Sequence, residues 1–181
     1  MKLLLDACVI YPTVLREILL GVAARGLYTP LWSARILEEW ARAARKIGPT
    51  GEVQARAEIA LVRAAWPIAE VAPREGLEAR LWLPDADDTH VLAAAIAGGA
   101  DAIVTFNARD FPRHLLEQEG VRRFAPDEVL MELWLAAPQP VEEAVRAVHA
   151  EARRLSGEEL ALRALLKRAR LPRLGKALGD G

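Results

Sequence analysis

Apolar residues along this chain fall into short runs that alternate with longer stretches of helical spacing. Residues 2–5 form an apolar run closed by Asp6. The run is too short for a helix before Pro12 intervenes and predicts a buried strand with Asp6 at its carboxyl end. Over 13–24 the apolar side chains Val14, Leu15, Ile18, Leu19 and Val22 recur at three and four, predicting an amphipathic helix that stops at Gly26. A second strand is expected over 27–31. Ser33 is placed to cap a helix over 34–46 with Ile36, Leu37, Trp40 and Ala44 on one face, broken by Gly48-Pro49. A further helix over 52–65 ends before Pro67. Residues 68–71 read as a strand and 73–82 as a loop with room for one helical turn. A helix over 89–97 ends at Gly98-Gly99, a β-branched strand covers 102–105, and a strand over 121–124 precedes a helix over 126–135. Strands alternating with helices predict an α/β fold around a parallel sheet.

Pro138 and Pro140 mark the expected boundary between a domain over 1–137 and a C-terminal helical extension over 138–181. Two helices are predicted there, over 141–154 and 157–170, the second opened by Ser156-Gly157-Glu158-Glu159 as a capping box. Its apolar positions Leu160, Leu162, Leu165 and Leu166 alternate with Arg163, Lys167, Arg168 and Arg170, so one face is apolar and the other basic.

Composition narrows the class. The chain has 181 residues, 52% hydrophobic and 27% charged, with a formal net charge of -1, which is a globular and not a disordered balance. No apolar run reaches the length of a membrane helix, and Asp6 comes too soon for a signal peptide, so a cytoplasmic protein is expected. A single cysteine, Cys8, excludes an internal disulfide and any multi-cysteine metal site. Residues 1–140 carry 15 bases and 19 acids, and 141–181 carry 9 bases and 6 acids, so an acidic body bears a basic tail.

Candidate chemistry sits at the strand ends, because an open parallel sheet binds ligands beyond its carboxyl edge where the strand order reverses. Asp6 follows the first strand, Asp110 follows the fourth, Asp88 opens the helix feeding that fourth strand, and Glu39 lies mid-helix beside Leu37 and Trp40. Four carboxylates near one edge repel unless cations neutralise them. Hard oxygen ligands without Cys or clustered His select Mg2+ or Mn2+. The pattern therefore points to a metal-assisted phosphoryl site. Asp85 and Asp87 suffice to cap the helix at 89 and complement its dipole, which releases Asp88 for the site, with Asp85 in support.

These residues resemble the PIN-domain ribonucleases, and among them the VapC-like toxins. The resemblance runs over residues 2 to about 128. It rests on Leu-Leu-Leu-Asp6, Ser33-Ala-Arg-Ile-Leu-Glu-Glu39, Pro84-Asp-Ala-Asp-Asp88-Thr-His-Val-Leu-Ala-Ala-Ala and Ala102-Ile-Val-Thr105-Phe-Asn107-Ala-Arg109-Asp110-Phe-Pro. It implies a Rossmann-like α/β/α sandwich, Mg2+ or Mn2+ dependence, hydrolysis of single-stranded RNA, a cognate antitoxin and a homodimer. Carried over by position, the acidic quartet falls on Asp6, Glu39, Asp88 and the segment Asn107 to Asp110. Many relatives have an acid two residues after the threonine, where this chain has Asn107, its only asparagine, so the fourth acidic role passes to Asp110. Asp6 and Asp88 would hold the ion, Glu39 would take a proton or a second ion, and Arg109 would meet a phosphate oxygen.

Other readings are weaker on the residues. A haloacid-dehalogenase-type phosphatase needs a second acid two residues after Asp6, and Cys8 stands there. No G-x-G-x-x-G or P-loop is present. Cys8 has no recognised His partner and reads as a packed thiol, and His90 as a satisfied or exposed histidine. Of the five tryptophans only Trp82 is a candidate for base stacking. A PIN fold that binds RNA or protein without turnover is the alternative kept open by Asn107.

Overall fold

The computed structural model describes residues 1–157 and 159–179. Two compact units divide the chain, one of Met1–Tyr11 with Thr29–Phe124, the other of Pro12–Tyr28 with the chain from Ala125 onward.

The first unit is built on five parallel strands, β1 (Lys2–Leu5), β2 (Thr29–Ser33), β3 (Glu70–Val71), β4 (Ala102–Val104) and β5 (Arg122–Phe124), in the order β3-β2-β1-β4-β5. Leu3, Leu4 and Leu5 pair with Ala102, Ile103 and Val104, and all six are fully buried. Strands covered on both faces read as unbroken apolar runs, which is why residues 3–5 show no alternation. Each leucine so buried contributes about 2 kcal/mol. Helices α1 (Ala7–Ile10), α3 (Ala34–Ala43), α4 (Gly51–Ala65), α5 (Thr89–Gly98) and α6 (Arg113–Gln118) complete this unit. The α/β sandwich with a central parallel sheet is the expected fold class.

Local chemistry sets the helix ends. Ser33 accepts from the Ile36 N–H at 3.2 Å and so caps α3, a contact worth about 1 kcal/mol. The expected helix over 34–46 tightens into a 3-10 turn at Ala44–Ile47. Trp32 and Trp40 fill the core, whereas Trp82 is 68% exposed. The four-residue α1 and the six-residue α6 had no periodic signal to announce them, being too short to express one.

The second unit is helical: α2 (Thr13–Ala24), α7 (Pro126–Ala136), α8 (Pro138–Ser156), α9 (Leu162–Arg168) and α10 (Pro172–Gly179). The division expected at 137/138 follows the chain, while grouping by contact places α2 and α7 with the helices beyond Pro138. Pro138 sits at the first turn of α8, where its missing N–H costs nothing. The capping box expected at Ser156 does not open a helix. Ser156 is the last residue of α8, Gly157 adopts the left-handed conformation that closes it at φ 66°, and α9 begins only at Leu162. Glu158 of that tetrad, and Asp180 and Gly181, lie outside the described residues. Leu166, Leu171 and Leu174 are fully buried. Asp127, itself buried, accepts from the Arg173 and Leu174 N–H groups at 2.8 and 3.0 Å and so caps α10 from α7. No helix among the described residues is long and apolar enough to cross a membrane.

Candidate active site

The strand order reverses between β1 and β4, and the side chains that follow these two strands meet there. Asp6 ends β1. Its backbone N–H donates to the Val104 carbonyl at 3.1 Å, and its own carbonyl accepts from Val9 and Ile10, so the residue is fixed from both sides. The residue is 7% exposed. Oδ2 accepts from the Thr105 hydroxyl at 2.6 Å and from the Cys8 thiol at 3.1 Å. Thr105 in turn accepts from the Asn107 N–H at 2.9 Å, so one hydroxyl orders both the first acid and the loop after β4. The Phe106 N–H donates to the Cys8 sulfur at 3.3 Å. Burial, and then the Asp6 charge, push the Cys8 thiol up to about 12. At neutral pH it is a protonated thiol and no nucleophile.

Asp85, Asp88 and Asp110 converge: each offers a carboxylate oxygen, and the three lie within 4.8 Å of one another. A 3-10 turn over Ala86–Asp88 links the first two, and side chains three apart in such a turn stack on one side. Asp85 Oδ1 accepts from the Asp87 N–H at 2.9 Å, whereas Asp88 makes no cap contact of its own at the start of α5. Asp110 arrives on the loop after β4. Arg123 holds that loop by donating to the carbonyls of Ala108 at 2.6 Å and Phe111 at 3.0 Å, and the Phe111 ring is fully buried beneath it.

Asn107 brings an amide to the cluster. Its Nδ2 donates to Asp88 Oδ2 at 3.0 Å, so it orients a carboxylate and adds no charge. Partial burial, followed by the charges of Asp6, Asp85, Asp110 and Glu39, raises the Asp88 carboxyl from 3.8 to about 6. Those four neighbours are near enough for their fields to overlap at Asp88, although Asp6 and Glu39 stand outside the close trio.

Glu39 is reached by His90 Nε2 at 2.8 Å and by Arg35 Nε at 3.8 Å. The histidine contact is one of charge distance only, since the buried ring is not aligned for a hydrogen bond. Arg109 is exposed on the loop beside Asp110. Sequence reading gave Asp85 a supporting place and His90 a bland one. The three-residue spacing of Asp85 and Asp88 was a usable signal for the first, but nothing local ties His90 to Glu39, which lie 51 positions apart.

The donor set suits a hard divalent cation: carboxylate oxygens from Asp85, Asp88 and Asp110, whose mutual repulsion such an ion would relieve. A family model described as PIN domain matches residues 2–109, more than half of the chain. The chain belongs to the PIN-domain family. PIN domains are in general metal-dependent nucleases that act on RNA, and the acidic cluster is compatible with that chemistry. Neither a curated protein nor a solved structure matches the chain.

Proposed function

We propose that this PIN domain is an Mg2+- or Mn2+-dependent endoribonuclease that hydrolyses phosphodiester bonds in single-stranded RNA. The observation that carries the reading is the convergence of Asp85, Asp88 and Asp110 within 4.8 Å, with Asp6 held at the adjoining strand end. Asp85, Asp88 and Asp110 would hold the ion, with Asp6 facing the same space. When bound, the ion polarises the scissile phosphate and lowers the pKa of a coordinated water. The chain's own residues do the rest. Thr105 and Cys8 both address Oδ2 of Asp6, which frees Oδ1 for the site. Asn107 fixes the rotation of the Asp88 carboxylate. Glu39, with Arg35 at ion-pair distance, is the group assigned to receive the proton of the attacking water at its Oε1. Arg109 is free to meet a phosphate oxygen from the exposed loop.

Likeness to VapC-like toxins supports a biological setting: a toxin of a toxin–antitoxin pair, acting in the cytoplasm as a homodimer with a cognate antitoxin. A small DNA-binding protein encoded immediately upstream is the expected neighbour. Cleavage of single-stranded RNA by the purified chain should require Mn2+ or Mg2+ and should vanish in Asp6→Asn with the circular-dichroism spectrum unchanged. Wild-type rates in Asp6→Asn would move the active site elsewhere. One observation favours a second reading, a PIN fold that binds without turnover: Asn107 donates to Asp88 where an acid would add charge. Metal titration alongside the nuclease assay separates the two, since only the second predicts no cleavage at saturating metal.

A further inference from the structure

Residues 163–176 carry six cations and no acid: Arg163, Lys167, Arg168, Arg170, Arg173 and Lys176. Each of the six is exposed. Several arginines elsewhere are paired with carboxylates. Arg45 and Arg56 share Glu52, Arg56 also grips Glu38 with two nitrogens, Arg63 pairs with Glu70, and Arg80 pairs with Glu119. Among the described residues no carboxylate pairs with Arg163, Lys167, Arg168, Arg173 or Lys176. Asp127, the buried acid that reaches this stretch, is committed to two backbone N–H groups at the start of α10 and pairs with none of those five side chains.

The cations stand on a firm base. An ideal Cβ at Gly175 would lie 3.2 Å from the Leu166 Cβ, so glycine there lets α10 press directly on α9. The turn between them closes with Leu171 N–H donating to the Leu166 carbonyl at 2.8 Å and Arg170 N–H to the Lys167 carbonyl at 3.1 Å, the paired bonds of a Schellman motif. The left-handed position of that motif favours glycine, yet Arg170 occupies it at φ 62°. A positive charge therefore stands where the backbone prefers no side chain.

We propose that the α9–α10 surface binds the phosphate backbone of single-stranded RNA and is the domain's sequence-independent grip on its substrate. The proposal rests on the nuclease reading for its choice of polyanion. One feature selects RNA over an acidic protein. No large apolar side chain is exposed between Gly157 and Gly179, whereas a protein interface centres on apolar or aromatic anchors.

Binding of a fluorescent uridine oligonucleotide to the full-length chain, measured in chelator across a salt series, reads the surface without cleavage. The comparison is with a chain carrying Arg163→Gln, Lys167→Gln, Arg168→Gln, Arg173→Gln and Lys176→Gln together. Each phosphate contact on a single strand contributes about 0.7 to the slope of log affinity against log salt, so the five substitutions should flatten it by about 3.5. Between about 50 and 200 mM salt the wild type should lose roughly 100-fold more affinity than the variant. Arg163→Gln with Lys167→Gln alone should flatten the slope by about 1.4, which keeps the test decisive if the larger variant fails to fold. Equal slopes and affinities overturn the proposal, as does tighter binding of polyglutamate than of RNA. A flattened slope with no cleavage by the wild type in Mn2+ would instead retain the surface and discard the nuclease reading.

Discussion

Removing the Asp88 charge should stabilise the metal-free protein. The Asp88 carboxyl rises from 3.8 to about 6 on folding, through partial burial and then the charges of Asp6, Asp85, Asp110 and Glu39. A rise of that size corresponds to about 3 kcal/mol. Asp88 is only partly buried, so solvent screening reduces the figure to about 1 kcal/mol. Because the folded state holds the proton more tightly than the unfolded chain, the carboxylate destabilises the fold in full above about pH 6 and not at all below about 3.8. Asp88→Asn keeps an oxygen for the Asn107 amide and removes the charge. In chelator at pH 8 its melting temperature should exceed that of the wild type by about 3 °C, the shift that about 1 kcal/mol gives a chain of this length. The gain should shrink as pH falls through the window from 6 to 3.8. With Mn2+ at about 100 times its dissociation constant the wild type gains about 2.7 kcal/mol and the order reverses. Thermal melts at both pH values, with and without Mn2+, decide the matter. An Asp88→Asn protein no more stable than wild type at pH 8, or stabilised equally at pH 4, would refute the burial and crowding of the Asp88 charge as a cost to the fold.

Two further outcomes are expected. Thr105→Ala removes the 2.6 Å bond to Asp6 and the anchor of the Asn107 N–H, so RNA cleavage should fall by about 10–100-fold, with Thr105→Ser restoring most of the rate; full activity in the alanine variant would show that Asp6 needs no positioning. Asp127→Ala leaves one part-buried and one buried N–H group unpaired at the start of α10, and urea denaturation should register a loss of about 2–4 kcal/mol, whereas Asp127→Asn should recover part of it.

The elements legible in the sequence were those whose pattern is local. Residues 2–5, 13–24, 52–65 and 126–135 announce themselves by run length or by spacing at three and four, and their observed bounds depart little from that reading. The helix that ends at Ser156 shows where locality misleads. Ser156-Gly157-Glu158-Glu159 has the composition of a helix start, but Gly157 also suits the left-handed close of the preceding helix, and the longer apolar face of α8 prevails. For the site, Asp6, Asp88 and Asp110 could be proposed from strand and helix ends, because topology carries strand ends to one edge. The Glu39–His90 contact, the Arg123 clamp on the loop and the Asn107 bond to Asp88 link residues far apart in sequence, so no periodicity encodes them.

The pairing of β1 with β4 also has a history in time. Leu3, Leu4 and Leu5 are made first, yet half of their cover is Ala102, Ile103 and Val104, and Asp6 meets Thr105 across 99 positions. At synthesis rates of about 5–20 residues per second, the first strand waits about 5–20 seconds for that neighbour. Until then it has β2 on one side and an open edge on the other. Any chain that ends before residue 105 therefore carries Asp6 without the hydroxyl that orients it, and an exposed leucine edge that invites pairing with another chain.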